Sequence, residues 1–293
     1  MASMRDIKRR KESVQSTGQI TKAMKLVSSV QLQKAKVGAE VSKPYFDTMY
    51  ETVAGMIAKS GNMSHPFLSK GQSDKKAVIL ITSNRGLAGG YNSNAVKLLT
   101  QDQRFTPENT MVYPVGTKGR DAVARLGYQC MTDYSEAINE PMYGDAASIG
   151  KEVLGKFASG EIGEIYLIYT IFKNTMVQIP TLIKLLPIDA EDIASESEDI
   201  EMDPIDRITL MNYEPEAEEA LNAIVPKYIN SLIFGGLVES HASENGARMQ
   251  AMDSATSNAE EMISDLSLKY NRARQASITQ ELTEIIAGAS AIS

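Results

Sequence analysis

The residues whose types and spacing could do chemistry cluster first at Asn84-Arg85-Gly86-Leu87-Ala88-Gly89-Gly90-Tyr91-Asn92. This glycine-rich stretch follows the apolar run Ala77–Ser83 (AVILITS) and precedes a helical pattern over Tyr91–Gln103. Strand-to-helix turns of this kind bind phosphate, because free backbone N–H groups and the helix dipole both favour an anion. The order of residues is neither G-x-G-x-x-G nor the G-x-x-x-x-G-K-[ST] of a P-loop. A second candidate, Gly116-Thr117-Lys118-Gly119, places its lysine before the second glycine and fails the same test. The reading preferred on residue grounds is structural: Gly86, Gly89 and Gly90 permit a tight turn with positive φ and close helix–strand packing. His65 and His241 are the only histidines and have no H-E-x-x-H pattern or neighbouring cysteine, so a metal site is not expected. Glu260-Glu261 is a carboxylate pair on a predicted exposed helix, where solvation outweighs acid–base work. The chain is expected to be catalytically inert, with no catalytic, cofactor-binding or metal residues and no cofactor.

The elements around those turns alternate. Beyond the strand at Ala77–Ser83, strands are predicted at Met111–Val115, Tyr128–Thr132, Glu164–Phe172 and Thr175–Leu186, and helices at Lys118–Leu126 and Asp145–Ala158. Alternating strands and helices argue a small α/β domain, of Rossmann-like type with a mostly parallel sheet. Only Lys173-Asn174 separates the last two strands, which predicts an antiparallel hairpin at the sheet edge.

The two ends of the chain read differently. From Lys227 to Ser293 there is no proline, and Leu232, Leu237, Ala247, Met252, Ala255, Ala259, Met262, Leu266, Ala273, Ile278, Leu282 and Ile285 recur at helical spacing. The run exceeds the roughly 8–20 residues of ordinary globular helices, and 60 helical residues would reach about 90 Å. Met4–Tyr50 has one proline, Pro44, and Ile7, Val14, Ile20, Met24, Val27, Val30 and Val37 fall near one side of a helix. Two long helices at opposite ends of one chain meet only if the chain folds back, and the expected pairing is antiparallel. Separate packing of each helix on the middle domain is the alternative. The expected organisation is an N-terminal coiled-coil helix over 1–60, the α/β domain over 75–190, an acidic connection over 191–213 and a C-terminal coiled-coil helix over 214–293.

Charge is uneven. The opening helix carries Arg5, Lys8, Arg9, Arg10, Lys11, Lys22, Lys25, Lys34 and Lys36, whereas Asp189–Glu219 holds thirteen acids against Arg207 alone. A basic helix invites a nucleic-acid or anionic-membrane reading. The acidic whole, with net charge −7, and the lack of aromatic residues among those basic positions for stacking bases argue against nucleic acid. A solvated face, or a collar of acidic partner residues, is the better reading. The single cysteine, Cys130, excludes an internal disulfide and fits a reducing compartment. The longest apolar runs, Ala77–Thr82 and Ile165–Phe172, fall short of the ~20 residues that cross a bilayer. No secretory signal or mitochondrial-type presequence is read at the start.

Three separated strings carry a family resemblance: MRDIKRRKESVQSTGQITKAMKLVSSVQLQKAK, SNRGLAGGYN, and ARMQAMDSATSNAEEMI with YNRARQASITQELTEIIAGA. In this order they resemble the gamma subunit of F-type ATP synthases, and the likeness covers essentially the whole chain. The bacterial type is indicated, because the cysteine pair inserted in chloroplast relatives is absent. Cysteine is common in the family where Ala88 stands here.

The resemblance implies a rotating central shaft that couples ion flow through a membrane ring to ATP synthesis or hydrolysis. Its implied partners are three alpha and three beta subunits, an epsilon subunit and the membrane c-ring, on the cytoplasmic side of the cell membrane. Arg274, Gln275 and Thr279 in RARQASIT resemble shaft positions that hydrogen-bond a beta-subunit loop, and Met24 in ITKAMK and Arg248 in ENGARM resemble positions coupling shaft to catalysis. The C-terminal Ile285–Ser293 would sit in an apolar bearing. For each residue the competing reading is an ordinary coiled-coil position. Two other functions compete: a static coiled-coil scaffold, which binds a partner without turnover-coupled motion, and a nucleotide-binding enzyme using Arg85–Tyr91.

Overall fold

Strand β1 (Lys76–Ile81) is built from an uninterrupted apolar run, as a strand covered on both faces requires. It lies at the centre of a five-stranded sheet of order β3-β2-β1-β4-β5. The other strands are β2 (Thr110–Val115), β3 (Gln129–Cys130), β4 (Glu164–Phe172) and β5 (Gln178–Leu186). The first four run parallel and β5 returns antiparallel to β4. The computed structural model describes residues 4–60, 65–69, 71, 73–188 and 217–292. The expected acidic connection over 191–213 lies outside the described residues.

Alternation along the strands sorts two cores, since successive side chains point to opposite faces. Ala77, Ile79 and Ile81 with Met111, Tyr113, Ile165 and Leu167 face one side. They meet Ile149 and Val153 of α4 (Tyr143–Ala158). Val78, Leu80, Val112 and Ile168 face the other. They meet Ala95 and Leu99 of α2 (Tyr91–Gln101) and Val123 of α3 (Thr117–Arg125). A short 3-10 turn, Ser135–Ile138, precedes α4. The β4–β5 hairpin forms as expected, but Asn174–Val177 close the turn through reciprocal backbone bonds, so Thr175 belongs to the turn and β5 starts at Gln178.

The first core also takes in parts of the terminal helices that the sequence assigned to coiled coil. Helix α1 spans Met4–Ser60 and α5 spans Ala217–Ile292, each with one internal proline, Pro44 and Pro226. Val53 and Met56 of α1 and Leu221, Val225, Ile229, Ile233 and Leu237 of α5 are buried against the sheet. These segments are therefore a layer of the α/β domain rather than coiled coil. One window of α5 is apolar enough to match a membrane span, but half of it is buried inside the protein, as in a core helix.

Contacts divide the chain into two units, Met1–Ser29 with Arg248–Ser293, and Val30–Ala247. In the first, the helices pair antiparallel. A Cβ added at Gly18 would meet Ala259 Cβ at 3.3 Å, Thr21 meets Thr256, and Lys25 meets Asp253, so the partner number falls as the first rises. Covered or half-covered positions recur at alternating steps of four and three: Ile7, Lys11, Val14, Gly18, Thr21, Lys25 and Ser28 on α1, and Met252, Thr256, Ala259, Ile263, Leu266, Tyr270, Ala273 and Ser277 on α5. That is the heptad spacing of a two-stranded coil.

On α5 the seam keeps Met252, Ala259, Leu266 and Ala273 of the expected apolar stripe, whereas other expected positions turn outward. Ile7, Val14 and Met24 are half-buried, but Ile20, Val27, Val30 and Val37 are 57, 62, 58 and 54% exposed. Met262, Ile278, Leu282 and Ile285 are likewise exposed. A 3.5-residue seam selects Gly18, Thr21 and Ser28, whose small side chains let the helices approach, and turns the larger apolar residues outward.

Candidate functional site

The glycine-rich turn is clamped by its own polar groups. Ser83 N–H donates to Asn92 Oδ1 at 2.9 Å, and Ser83 Oγ donates to the Arg85 carbonyl at 2.6 Å. Asn84 Nδ2 donates to the Ser135 carbonyl at 2.7 Å and to Asn139 Oδ1 at 3.0 Å. Its Oδ1 accepts from Thr117 N–H at 3.0 Å. The turn thus ties the C-terminal ends of β1 and β2 to the 3-10 turn. Ala88 and Tyr91 pack on Ala247 of α5, and the Tyr91 hydroxyl donates to the Ser240 carbonyl at 3.2 Å.

Positive φ falls at Leu87 (64°) and Gly89 (56°), whereas Gly90 has φ −84° and a Cβ at Gly86 would meet open space. Of the three glycines expected to need positive φ, only Gly89 does. The second candidate also resolves structurally. Gly116 has φ +117°, and a Cβ there would overlap the Thr82 carbonyl. Gly119 N–H donates to Thr82 Oγ1 at 2.9 Å. Backbone packing against Thr82 accounts for the Gly116–Gly119 spacing without a ligand.

The histidines do not meet a metal-binding set. His65 is buried, its Nδ1 accepts from Phe67 N–H at 3.2 Å, and its ring lies 5.2 Å from that of Phe67. His241 lies on α5, where its carbonyl accepts from Asn245 Nδ2. Among the described residues no group of three His, Cys, Asp or Glu could hold a metal ion. Cys130 is half-buried on β3, and burial pushes its thiol pKa up.

The residues singled out by the family resemblance lie on the terminal helices. Arg274, Gln275 and Thr279 are exposed. Thr279 Oγ1 donates to the Gln275 carbonyl at 2.9 Å, one turn back. Gln275 and Thr279 are separated by four positions and so share one face of the helix, with Arg274 beside it. Its fork of N–H donors suits Arg274 to a carboxylate across an interface. Met24 and Arg248 are half-buried in the paired unit. Ile278, Leu282, Ile285 and Ile286 continue α5 as exposed apolar residues, at 48, 54, 67 and 65%.

Sequence reasoning missed the polar character of the seam. Thr21 Oγ1 and Thr256 Oγ1 are hydrogen-bonded at 2.8 Å, and Lys25 Nζ lies 2.6 Å from Asp253 Oδ1. Counting every residue type at steps of four and three, rather than apolar residues alone, would have found both.

A family model described as ATP synthase matches residues 3–292. Over 292 residues, covering 100% of both chains, the sequence is 69% identical to the ATP synthase gamma chain of Lachnoclostridium phytofermentans. The chain belongs to the ATP synthase gamma-chain family. A further relative, 42% identical over 99% of each chain, is the sodium-ion-specific ATP synthase gamma chain of Acetobacterium woodii. The fold matches a chain of the Euglena gracilis mitochondrial ATP synthase with TM-score 0.66 at 21% identity, covering 99% of this chain and 94% of that one. It also matches a central-stalk chain of the Tetrahymena thermophila enzyme with TM-score 0.56 at 24% identity, covering 80% and 99%. The alternating strands, parallel sheet and long C-terminal helix expected from sequence are the fold that is found.

Proposed function

We propose that this chain is the rotating, non-catalytic central shaft of an F-type ATP synthase. The observation that carries the reading is the full-length 69% identity to a bacterial ATP synthase gamma chain. The paired helices over 4–29 and 248–292 would pass into a ring of three alpha and three beta subunits. The α/β domain and the acidic segment would meet epsilon and the membrane c-ring. The complex would sit at the cell membrane, with this chain peripheral on its cytoplasmic side.

The mechanism follows from asymmetry. One shaft cannot present the same face to three catalytic positions, so each beta subunit meets different contacts at any moment. Turning the shaft changes which site binds, reacts or releases, because each contact biases the equilibrium between conformations of its beta subunit. Ion flow supplies about 2.3 kcal/mol per charge for every 100 mV. Arg274, Gln275 and Thr279 would grip a beta-subunit loop, while Met24 and Arg248 would transmit the shaft position to catalysis. The exposed apolar Ile278, Leu282, Ile285 and Ile286 suit a surrounding sleeve of protein, since contiguous apolar surface marks an interaction site. The exposed basic residues of α1, Arg5, Lys8, Arg9 and Arg10, suit acidic neighbours.

A static scaffold would share the helices but not the motion. The deciding experiment rebuilds the complex with its alpha and beta partners, carrying Cys130→Ser and Lys97→Cys, and follows a bead tethered to the introduced thiol as ATP is supplied. Stepwise turning in one direction is expected; ATP hydrolysis with a stationary bead would establish the scaffold instead.

A further inference from the structure

Within the α/β unit, a cavity of ≈ 470 Å³ lies between α1, α5 and strands β4 and β5. Four aromatic side chains, Phe46, Tyr50, Tyr169 and Tyr228, contribute to its lining, as do two carboxylates, Glu40 and Glu239, and among the described residues none that lines it is basic. The volume falls in the range of small-molecule sites, which are mostly apolar with a few polar anchors.

Glu239 is the unusual member. Its Oε2 is buried and has no hydrogen-bond partner among the described residues. Burial raises its pKa, opposed in part by the Phe172 N–H that donates to the carboxylate. A buried carboxylate with an unpaired oxygen is costly, and a cation beside it removes that cost. Gly235, one turn back on α5, also lines the cavity. A Cβ there would meet the Phe46 ring no closer than 3.6 Å, which is ordinary contact. Packing therefore does not demand a glycine at this mid-helix position, where alanine is favoured by about 1 kcal/mol. Its missing side chain leaves the space open.

We infer that this cavity binds a small hydrophobic primary amine, its ammonium group paired with Glu239 and its apolar body among Phe46, Tyr50 and Tyr228. Aromatic faces add to the attraction of the cation. The inference does not depend on the rotor reading, because the lining belongs to one compact unit of this chain.

Calorimetric titration of the full-length chain with 4-phenylbutylamine and with its neutral counterpart 4-phenylbutan-1-ol tests it. Saturable binding of the amine, at least tenfold tighter than the alcohol, is expected. Glu239→Gln should bring the two affinities level, and Gly235→Ala should weaken both several-fold; the exposed-site control Glu260→Gln should change neither. Equal affinities in the wild-type chain, or an amine affinity indifferent to both Glu239→Gln and Gly235→Ala, would overturn the proposal. If Glu239→Gln loses its helical circular dichroism, the wild-type comparison and Gly235→Ala still decide.

Discussion

Thr21 Oγ1 on α1 and Thr256 Oγ1 on α5 stand 2.8 Å apart across the helix pair, so one hydroxyl donates to the other while the second donates to a carbonyl of its own helix, Gly18 for Thr21 or Met252 for Thr256. The seam of this unit is thus pinned by a polar contact at a position where coiled coils ordinarily place an apolar residue. A polar pair at such a site fixes register at some cost in stability. Thr21→Val or Thr256→Val alone should destabilise the chain by about 1 kcal/mol, by leaving one hydroxyl short of a partner. The double substitution should be nearly neutral, since two apolar groups of similar shape replace both. A double-mutant cycle by chemical denaturation measures this; additive losses would show that the hydroxyls do not interact.

Arg274 and Gln275 are exposed on α5, so their worth should appear only in the assembly. Arg274→Ala and Gln275→Ala are expected to change the stability of the isolated chain by less than about 0.5 kcal/mol. In the rebuilt complex, losing a charge-assisted contact worth about 1.5–3 kcal/mol should weaken subunit assembly on the order of ten- to a hundredfold for Arg274→Ala. Parallel melting curves and subunit-binding titrations separate the two effects. A large melting shift in the isolated chain would mean that Arg274 is structural.

The α/β domain was legible because its central strands are buried on both faces: apolar runs such as Ala77–Ile81 and Ile165–Ile168 are too short for helices, and glycine turns separate them. The α1 side of the coiled-coil seam was not, because Gly18, Thr21 and Ser28 carry no hydropathy signal and the more apolar Ile20, Val27, Val30 and Val37 are exposed. The mixed role of α5 was hidden for a related reason. Ile233 and Leu237, which cover the sheet, and Met252 and Ala259, which line the seam, share one unbroken helical pattern with no proline or turn between them. The proposed contact residues Arg274, Gln275 and Thr279 rest on family motifs alone, since an exposed Arg-Gln pair on a helix has no spacing of its own to reveal a partner. The Glu239 cavity draws on residues from Ala39 to Glu239, a juxtaposition that only the fold creates.

Two glycines of the α/β domain should differ sharply in their response to the same substitution. At Gly116, φ is +117° and an added Cβ would overlap the Thr82 carbonyl, so Gly116→Ala combines backbone strain with a clash against backbone. A loss on the order of 3 kcal/mol is expected. At Gly86 the space is open and φ is not positive, and Gly86→Ala should stay within about 0.5 kcal/mol. Thermal unfolding of the two variants checks the contrast. Equal tolerance would mean that the β2–α3 connection relaxes more readily than its packing against Thr82 implies.

Acid should weaken the fold through carboxylates held in their charged form. The Arg104 guanidinium lowers the pKa of Asp102. At Asp133, burial acts to raise the pKa, but the Ser135 hydroxyl and N–H and the Arg120 guanidinium outweigh it and the net shift is downward. A depressed folded-state pKa gives stability that is present above the unfolded value, near 3.8 for both, and is lost as pH falls through the lower folded value. Glu239 carries the opposite sign: burial raises its pKa above 4.5, so the folded state holds that proton more tightly and stability falls as pH rises through the window just above 4.5. Denaturation midpoints measured from pH 7 to pH 3 should therefore drop at the acid end, and less steeply in Asp102→Asn with Asp133→Asn. Glu239→Gln should be more stable than the wild-type chain at pH 7, an advantage that shrinks towards pH 4. A Glu239→Gln chain less stable than wild type at pH 7 would show that the Phe172 N–H bond to the carboxylate outweighs the cost of burying it.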